Sequence, residues 1–304
     1  MKHSKQKTVL IITGPTASGK TTVAIQLAKH FQTEIISADS RQCYKELDIG
    51  VARPSPEELQ QVKHHFIASH SIKEEITAAG FEKFALEKTK ELFRKHDIVV
   101  IVGGTGLYIK AFCEGLDEIP EADPAIRQRI IDNYGEKGME WLQQEIREKD
   151  PAFYEAGEIK NPQRVMRALE VVESTGRSIL DFRKGKKVKR PFNIIKIGLE
   201  LPKEELSRNI DARVDGMIKK GLLQEVKALI HCRDMNALQT VGYTEIFGHL
   251  DGKISLEKAI EDIKTHTRQY AKRQLTWFRK DKDIKWFKPG ELEDILSYVE
   301  SVKS

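Results

Sequence analysis

The sequence predicts an α/β fold, a parallel sheet flanked by helices with a helical insertion, and three observations carry that prediction. A glycine-rich GxxxxGKT loop follows an apolar run and precedes a helical pattern. Short apolar runs alternate with helical stretches over the first 120 residues. From about Ile119 that alternation gives way to short helices punctuated by Pro120, Pro124, Pro151 and Pro162. Alternation of strand and helix implies a parallel sheet whose ligands bind at the carboxyl ends of its strands. The chain is then expected to hold a core of residues 1–120 and 188–304 and a helical insertion of 121–187. Its 304 residues suit two domains, and 39% hydrophobic content suffices for a core.

Residues 8–12 form the first strand. It runs into Gly14, Pro15, Thr16, Ala17, Ser18, Gly19, Lys20 and Thr21, a complete phosphate-binding loop. Val23, Ala24, Leu27, Ala28 and Phe31 recur with the spacing of a helix that buries one face. A strand, a glycine turn and a helix N-terminus together present backbone N–H groups and the positive end of the helix dipole to an anion. Gly14 and Gly19 permit close approach, Lys20 adds a point charge, and the Thr21 hydroxyl suits Mg²⁺. The site calls for a polyphosphate.

Residues 34–37 and 97–102 are the next strands, leading to Asp39-Ser40-Arg41-Gln42 and to Gly103-Gly104-Thr105-Gly106. With the phosphate loop these strand ends converge on one crevice. In the insertion, Asn161-Pro162 is a helix start by its chemistry: Asn caps, and proline at the first helical position forfeits no needed N–H. Val165, Leu169 and Val172 share one face of that helix, Gln163 and Arg167 the other, with Arg164 at the flank. Residues 192–201 return to the sheet. Ile210, Val214, Met217 and Ile218 then mark a helix, Gly221 interrupts, and Leu222, Leu223, Val226 and Leu229 mark another. Residues 256–279 are mostly helical and set Tyr270, Trp277 and Phe278 among cations.

Charged residues make up 32% of the chain, with a formal net charge of +5. The excess is clustered. Residues 183–190 hold six cations in eight positions, and Arg268 to Lys288 holds eight against Asp281 and Asp283. Cys43, Cys113 and Cys232 are odd in number and widely spaced, so neither a disulfide framework nor a cysteine zinc site is expected and a cytoplasmic setting fits. The basic N-terminus precedes only about five apolar residues, too few for a signal sequence, and no segment approaches the roughly 18 of a membrane span. His64 and His65 are adjacent on the chain and would point different ways, so they are not read as a metal pair.

Phosphate-binding loops mostly serve nucleotide hydrolysis or phosphoryl transfer, so an ATP-binding nucleotide or small-molecule kinase is the default alternative. A non-catalytic RNA-binding protein that docks an anion is a third. The kinase reading expects a second strand ending in a metal-holding Asp, but residues 97–102 end in Gly103-Gly104-Thr105. Only the strand at 34–37 leads to a carboxylate, Asp39, which by its local sequence could hold metal or act as a base.

Several segments, taken in order, resemble the bacterial tRNA dimethylallyltransferases, also called adenosine isopentenyltransferases. They are the loop 14–21, Ser37-Ala38-Asp39-Ser40-Arg41-Gln42-Cys43-Tyr44-Lys45 with Asp48-Ile49-Gly50, and Val102-Gly103-Gly104-Thr105-Gly106-Leu107-Tyr108. The others are Asp123-Pro124 with Arg127, Asn161-Pro162-Gln163-Arg164 through Arg167-Ala168-Leu169-Glu170, Val241-Gly242-Tyr243, and the segment from Thr267 to Arg279. The resemblance runs from about residue 8 to 280. It implies a P-loop NTPase-like sheet and transfer of a dimethylallyl group from its diphosphate to the exocyclic amine of the adenosine just 3′ of the tRNA anticodon.

By that resemblance the loop holds an allylic diphosphate, with Lys20, Arg213 and Mg²⁺ at Thr21 stabilising the departing pyrophosphate. Asp39 is the implied general base and Thr105 an orienting residue. Contact with the tRNA anticodon stem-loop falls to Asp39, Ser40, Arg41, Gln42, Thr105 and Arg127, and to Gln163, Arg164, Val165, Met166 and Arg167 in the insertion. It falls also to Gln239, Thr240, Val241, Gly242, Tyr243 and Thr244, and to Lys272, Arg273, Gln274, Leu275, Thr276, Trp277, Phe278 and Arg279. Drawing a stacked base out of the loop costs a few kcal/mol, and cations interleaved with aromatics suit that work. The protein is expected to act as a monomer.

Overall fold

The computed structural model describes residues 6–185 and 187–303; residues 1–5, Lys186 within the cationic run at 183–190, and Ser304 lie outside the described residues. Two compact units are present, one of residues 1–113 and 189–304, the other of 114–188.

In chain order the first unit holds β1 (Thr8–Thr13), α1 (Lys20–His30), β2 (Ile35–Ser37), α2 (Pro56–Gln61), β3 (His64–His65), α3 (Ala78–Leu92), β4 (Ile98–Val102) and α4 (Gly106–Glu114). The second contains α5 (Pro124–Lys149), α6 (Pro151–Ala156) and α7 (Pro162–Thr175), after which the first resumes with β5 (Asn193–Leu199), α8 (Lys203–Lys219), α9 (Leu222–Ala228), α10 (Tyr243–Leu250), α11 (Leu256–Phe278), β6 (Ile284–Phe287) and α12 (Leu292–Lys303).

The six strands form one parallel sheet in the order β3-β2-β4-β1-β5-β6. β1 is central, with Thr8 opposite Ile98 of β4 on one side and Asn193 of β5 on the other. Every residue of β1 is buried, as a strand covered on both faces requires. Successive side chains alternate: Val9 and Ile11 join Ile36, Val99, Phe81 and Phe112 on one face. Leu10 and Ile12 join Val23, Leu27, Ile197 and Ile295 on the other. Each such side chain contributes about 1.5–3 kcal/mol of burial free energy.

Two strands escape the sequence pattern. β3 is only two residues long, and β6 is four residues set between Lys282 and Lys288. Gly221, at a φ of 100°, separates α8 from α9 where the sequence has its interruption.

The second unit packs Ile130, Leu142, Ile146, Phe153, Val165, Leu169 and Ile179 into a core of its own. Asn161 caps α7 by accepting from the Arg164 N–H, Pro162 opens the helix, and Gly176 ends it in the left-handed conformation. The unit starts at Glu114, seven residues before the expected boundary. Residues on either side of the helices tie together there: the Val188 N–H donates to the Glu114 carbonyl, the Gly185 N–H to Asp117, and Lys187 pairs with Glu114. No strand occurs among the described residues from 115 to 192.

Candidate active site

The loop after β1 turns its backbone three times into positive φ, at Gly14 (142°), Ala17 (63°) and Gly19 (82°). Alternation of this kind gathers successive N–H groups toward one concavity. Gly14 is obligatory, since a Cβ there would lie 2.4 Å from the Leu199 carbonyl oxygen. No side chain caps α1 and its first turn has no acidic residue, so its N-terminal donors and dipole are available to an anion. The Ser18 Oγ is buried without a hydrogen-bond partner among the described residues, a further donor on the same loop.

Lys20 Nζ donates to the Pro15 carbonyl at 2.6 Å. Burial, reinforced by the Arg213 guanidinium and opposed by Asp39, lowers its pKa to about 7. Arg213, on α8, donates to Thr16 Oγ1 at 3.1 Å. Its neighbours Asp211 and Asp215 pair instead with Arg268 and Lys264, so Arg213 is turned to the loop rather than spent on a surface ion pair. Gln274 of α11 fixes the loop from behind: its Oε1 accepts from the Thr16 N–H at 2.8 Å, and its Nε2 donates to the Gly104 carbonyl at 2.9 Å.

Asp39 lies just past β2. Its Oδ1 accepts from the N–H groups of Arg41 (2.9 Å) and Gln42 (3.2 Å). Thr105, past β4, accepts the Ser40 N–H at 3.0 Å and donates its own N–H to the Ala38 carbonyl. It therefore clasps the two strand ends together next to Asp39. The nearby Cys43 thiol is pushed up to about 12 by burial and then by Asp39, which keeps it protonated and unreactive.

Two cavities open here, of about 660 and 630 Å³. The first is lined by the loop, including Lys20 and Thr21. Ser40, Arg41, Gln239, Thr240, Val241, Gly242, Thr244 and Arg273 line the second. They share Thr16, Asp39, Val51, Ala52, Arg213, Met217 and Tyr270. Asp39 thus faces an anion cradle from one side and a second space from the other.

Several residues expected to contact RNA have buried side chains. Tyr243 is wholly buried and donates its hydroxyl to Glu225. Gln274 and Phe278 are buried, and Leu275 packs beside Ala17 and Ile210 beneath the loop. The heptad-like stripe of α11 puts these positions inward while leaving Lys272, Arg273, Thr276, Trp277 and Arg279 exposed. In the second unit Val165 and Met166 belong to the core, and Gln163 and Arg164 are exposed, Arg164 pairing with Glu158. Arg167 donates to Glu170 and the Pro120 carbonyl, and Arg127 lies 3.8 Å from Glu170. Sequence reasoning placed Tyr270 among RNA-facing aromatics and Met217 on a helix stripe rather than on these cavities, and it did not single out the Val51–Ala52 wall, which has no motif of its own.

His65 pairs with Glu34 and His64 Nδ1 lies 2.8 Å from the Val62 carbonyl. Among the described residues no group of three or more His, Cys, Asp or Glu side chains could hold a metal. The Thr21 hydroxyl on the first cavity still suits Mg²⁺, which takes few protein oxygens and fills its shell from phosphate and water.

The model of the IPP transferase family matches residues 42–281. A tRNA dimethylallyltransferase of Cytophaga hutchinsonii is 48% identical over 295 residues, 97% of each chain. The solved tRNA isopentenylpyrophosphate transferase of Bacillus halodurans superposes with a TM-score of 0.72 at 34% identity, covering 98% of this chain and 97% of that one. A solved eukaryotic dimethylallyltransferase acting on tRNA gives 0.77 at 28% identity, over 94% of this chain and 75% of the other.

Proposed function

The chain belongs to the IPP transferase family, and from that membership we propose its reaction in full: it transfers the dimethylallyl group of dimethylallyl diphosphate to N6 of the adenosine 3′-adjacent to the tRNA anticodon and releases pyrophosphate. The observation that carries this reading is the position of Asp39 on both cavities, one of them lined by the phosphate loop. The relatives' named activity favours it over the kinase alternative.

The diphosphate lies against the loop, where the N–H groups, Lys20 and Arg213 are already aimed at the charge that grows as the allylic C1–O bond breaks. Preorganised donors of this kind supply the largest share of many rate enhancements. Mg²⁺ held by Thr21 would neutralise further charge on the diphosphate when bound. Adenine N6 is a weak nucleophile whose lone pair is delocalised into the ring. It enters through the second cavity, and as the N6–C1 bond forms its proton passes to the Asp39 carboxylate. The two N–H groups on Oδ1 hold that carboxylate in place and leave Oδ2 to accept. Thr105, through Ser40, keeps the Asp39 turn in register with β4.

The RNA meets half-buried Arg41, exposed Lys272, Arg273 and Trp277, and Gln239, Thr240, Val241 and Thr244, with Arg127, Gln163, Arg164 and Arg167 as contacts offered by the second unit. Val165, Met166, Tyr243, Gln274, Leu275 and Phe278 support these surfaces from within. Among the described residues no helix is long and apolar enough to cross a membrane; the burial of Cys43, Cys113 and Cys232 outside any disulfide supports work in a reducing cytoplasm, and a monomer is the proposed working form. Incubating the chain with unmodified tRNA, labelled dimethylallyl diphosphate and Mg²⁺ tests the reaction: labelled RNA and free pyrophosphate are expected. ATP turnover with a small acceptor and no RNA labelling would overturn it in favour of a kinase.

A further inference from the structure

Glu225, on α9, receives four donors on one carboxylate. Its Oε2 accepts from the N–H groups of Asp48 (3.2 Å) and Ile49 (2.8 Å), and its Oε1 from the Gly50 N–H (2.9 Å) and the Tyr243 hydroxyl (2.6 Å). Tyr243 lies so close that a Cβ on Gly50 would fall 2.5 Å from its ring. Charge-assisted bonds of this number are far more than a surface turn requires.

The next two residues, Val51 and Ala52, wall both cavities. Ala52 is held at a φ of 48°, in the left-handed region, a conformation that persists where its surroundings enforce it. Gln42 enforces it from the other side, donating Nε2 to the carbonyls of Val51 (3.2 Å) and Ala52 (3.0 Å) while its own N–H serves Asp39. The wall is thus braced outside by Glu225 and inside by the residue that also braces Asp39.

If the diphosphate sits at Thr16 and Arg213 and the acceptor amine at Asp39, the transferred chain must lie where the cavities meet. The apolar residues there are Val51, Ala52, Met217 and Tyr270. Excluding a longer chain needs a wall that does not yield, because apolar contact alone discriminates poorly between chain lengths. Resting on the proposed reaction, we propose that Glu225 and Tyr243 are positioning residues that set the chain length of the prenyl donor by holding residues 48–52 in place.

The test is the ratio of kcat/KM for dimethylallyl over geranyl diphosphate with one tRNA. Glu225→Gln, folded by circular dichroism, should lower that ratio about tenfold, and Tyr243→Phe, which removes one donor of the four, should lower it less. A purely structural role would slow both donors alike, so an unchanged ratio in a folded variant overturns the proposal. Tyr243→Phe decides the matter if Glu225→Gln does not fold. Calorimetric titration of each diphosphate with Mg²⁺ and no tRNA reads the same ratio in binding. A wild type that binds both and transfers neither refutes the reaction while still testing the wall, and one that binds neither refutes both.

Discussion

Binding of dimethylallyl diphosphate above neutral pH should draw a proton onto Lys20. Burial, then the Arg213 charge, takes this lysine from 10.5 to about 7 despite the pull of Asp39. An anion beside Nζ reverses the balance and favours the charged form. One unit above that value, at pH 8, about nine-tenths of unliganded molecules hold neutral Lys20, so binding should take up about 0.9 proton; at pH 6 the uptake should fall to about 0.1. Affinity should drop by up to about tenfold per pH unit above 7. Calorimetry in buffers of different ionisation enthalpy measures the uptake directly. Lys20→Arg, always charged, supplies the baseline that subtracts protons exchanged by the ligand or other groups. Equal uptake by wild type and Lys20→Arg at pH 8 would refute the argument.

The same shift makes a statement about stability. Because the folded pKa lies below the unfolded one, the fold carries a charged Lys20 at a cost that is fully present below about pH 7 and is relieved as pH rises toward 10.5. Without anions, Lys20→Met should therefore melt higher than wild type at pH 6, with the gap closing above pH 7.

Asp39→Ala should abolish transfer to tRNA while leaving donor affinity, read by calorimetry, within about threefold, since the Asp39 carboxylate is hydrogen-bonded to the Arg41 and Gln42 N–H groups and not to the phosphate loop; loss of donor binding would make it a metal ligand instead. Replacing Lys272 and Arg273 together, both exposed, should lower the salt dependence of tRNA binding by about two phosphate contacts, and an unchanged slope would leave them as plain surface. Gln274→Leu strips partners from the Thr16 N–H and the Gly104 carbonyl and should cost on the order of 2 to 4 kcal/mol, seen as a lower melting temperature with weakened donor binding.

What could be read from the sequence was what local chemistry dictates. The loop 14–21, the strand runs that feed it and the Asn161-Pro162 helix start each declare themselves within a few residues, and β1, β2, β4 and β5 lie where apolar runs put them. β3 and β6 did not, because two or four residues among charges have no period to detect; β6 exists because Lys196↔Ile284 and its neighbours pair with β5. At the site, motif membership and surface exposure proved different things. Tyr243, Gln274 and Phe278 fall inside segments that resemble RNA-binding motifs, yet each is buried, and only the three-dimensional course of α10 and α11 tells which side of a helix meets the core. Glu225 sits in an ordinary amphipathic helix, and its partners at 48–50 are some 175 residues away.

An anion cradle alone does not decide which bond is broken. Fixed N–H groups, Lys20 and Arg213 stabilise a departing pyrophosphate or a transferred phosphoryl group by the same electrostatics, since both gather charge on phosphate oxygens. The reaction is decided by what lies beyond the phosphates. Here that is a carboxylate held by two backbone donors, a braced apolar wall at Val51 and Ala52, and a second cavity lined by Arg41, Arg273 and polar residues such as Gln239, Thr240 and Thr244. A kinase needs an acceptor oxygen in line with phosphorus and gains nothing from an apolar wall between cradle and base. A prenyl transfer requires it, because the reacting carbon must be shielded from water while it carries positive charge. The wall therefore discriminates between the two chemistries more sharply than the loop does, which is why loosening it through Glu225 should change what is transferred rather than whether an anion binds.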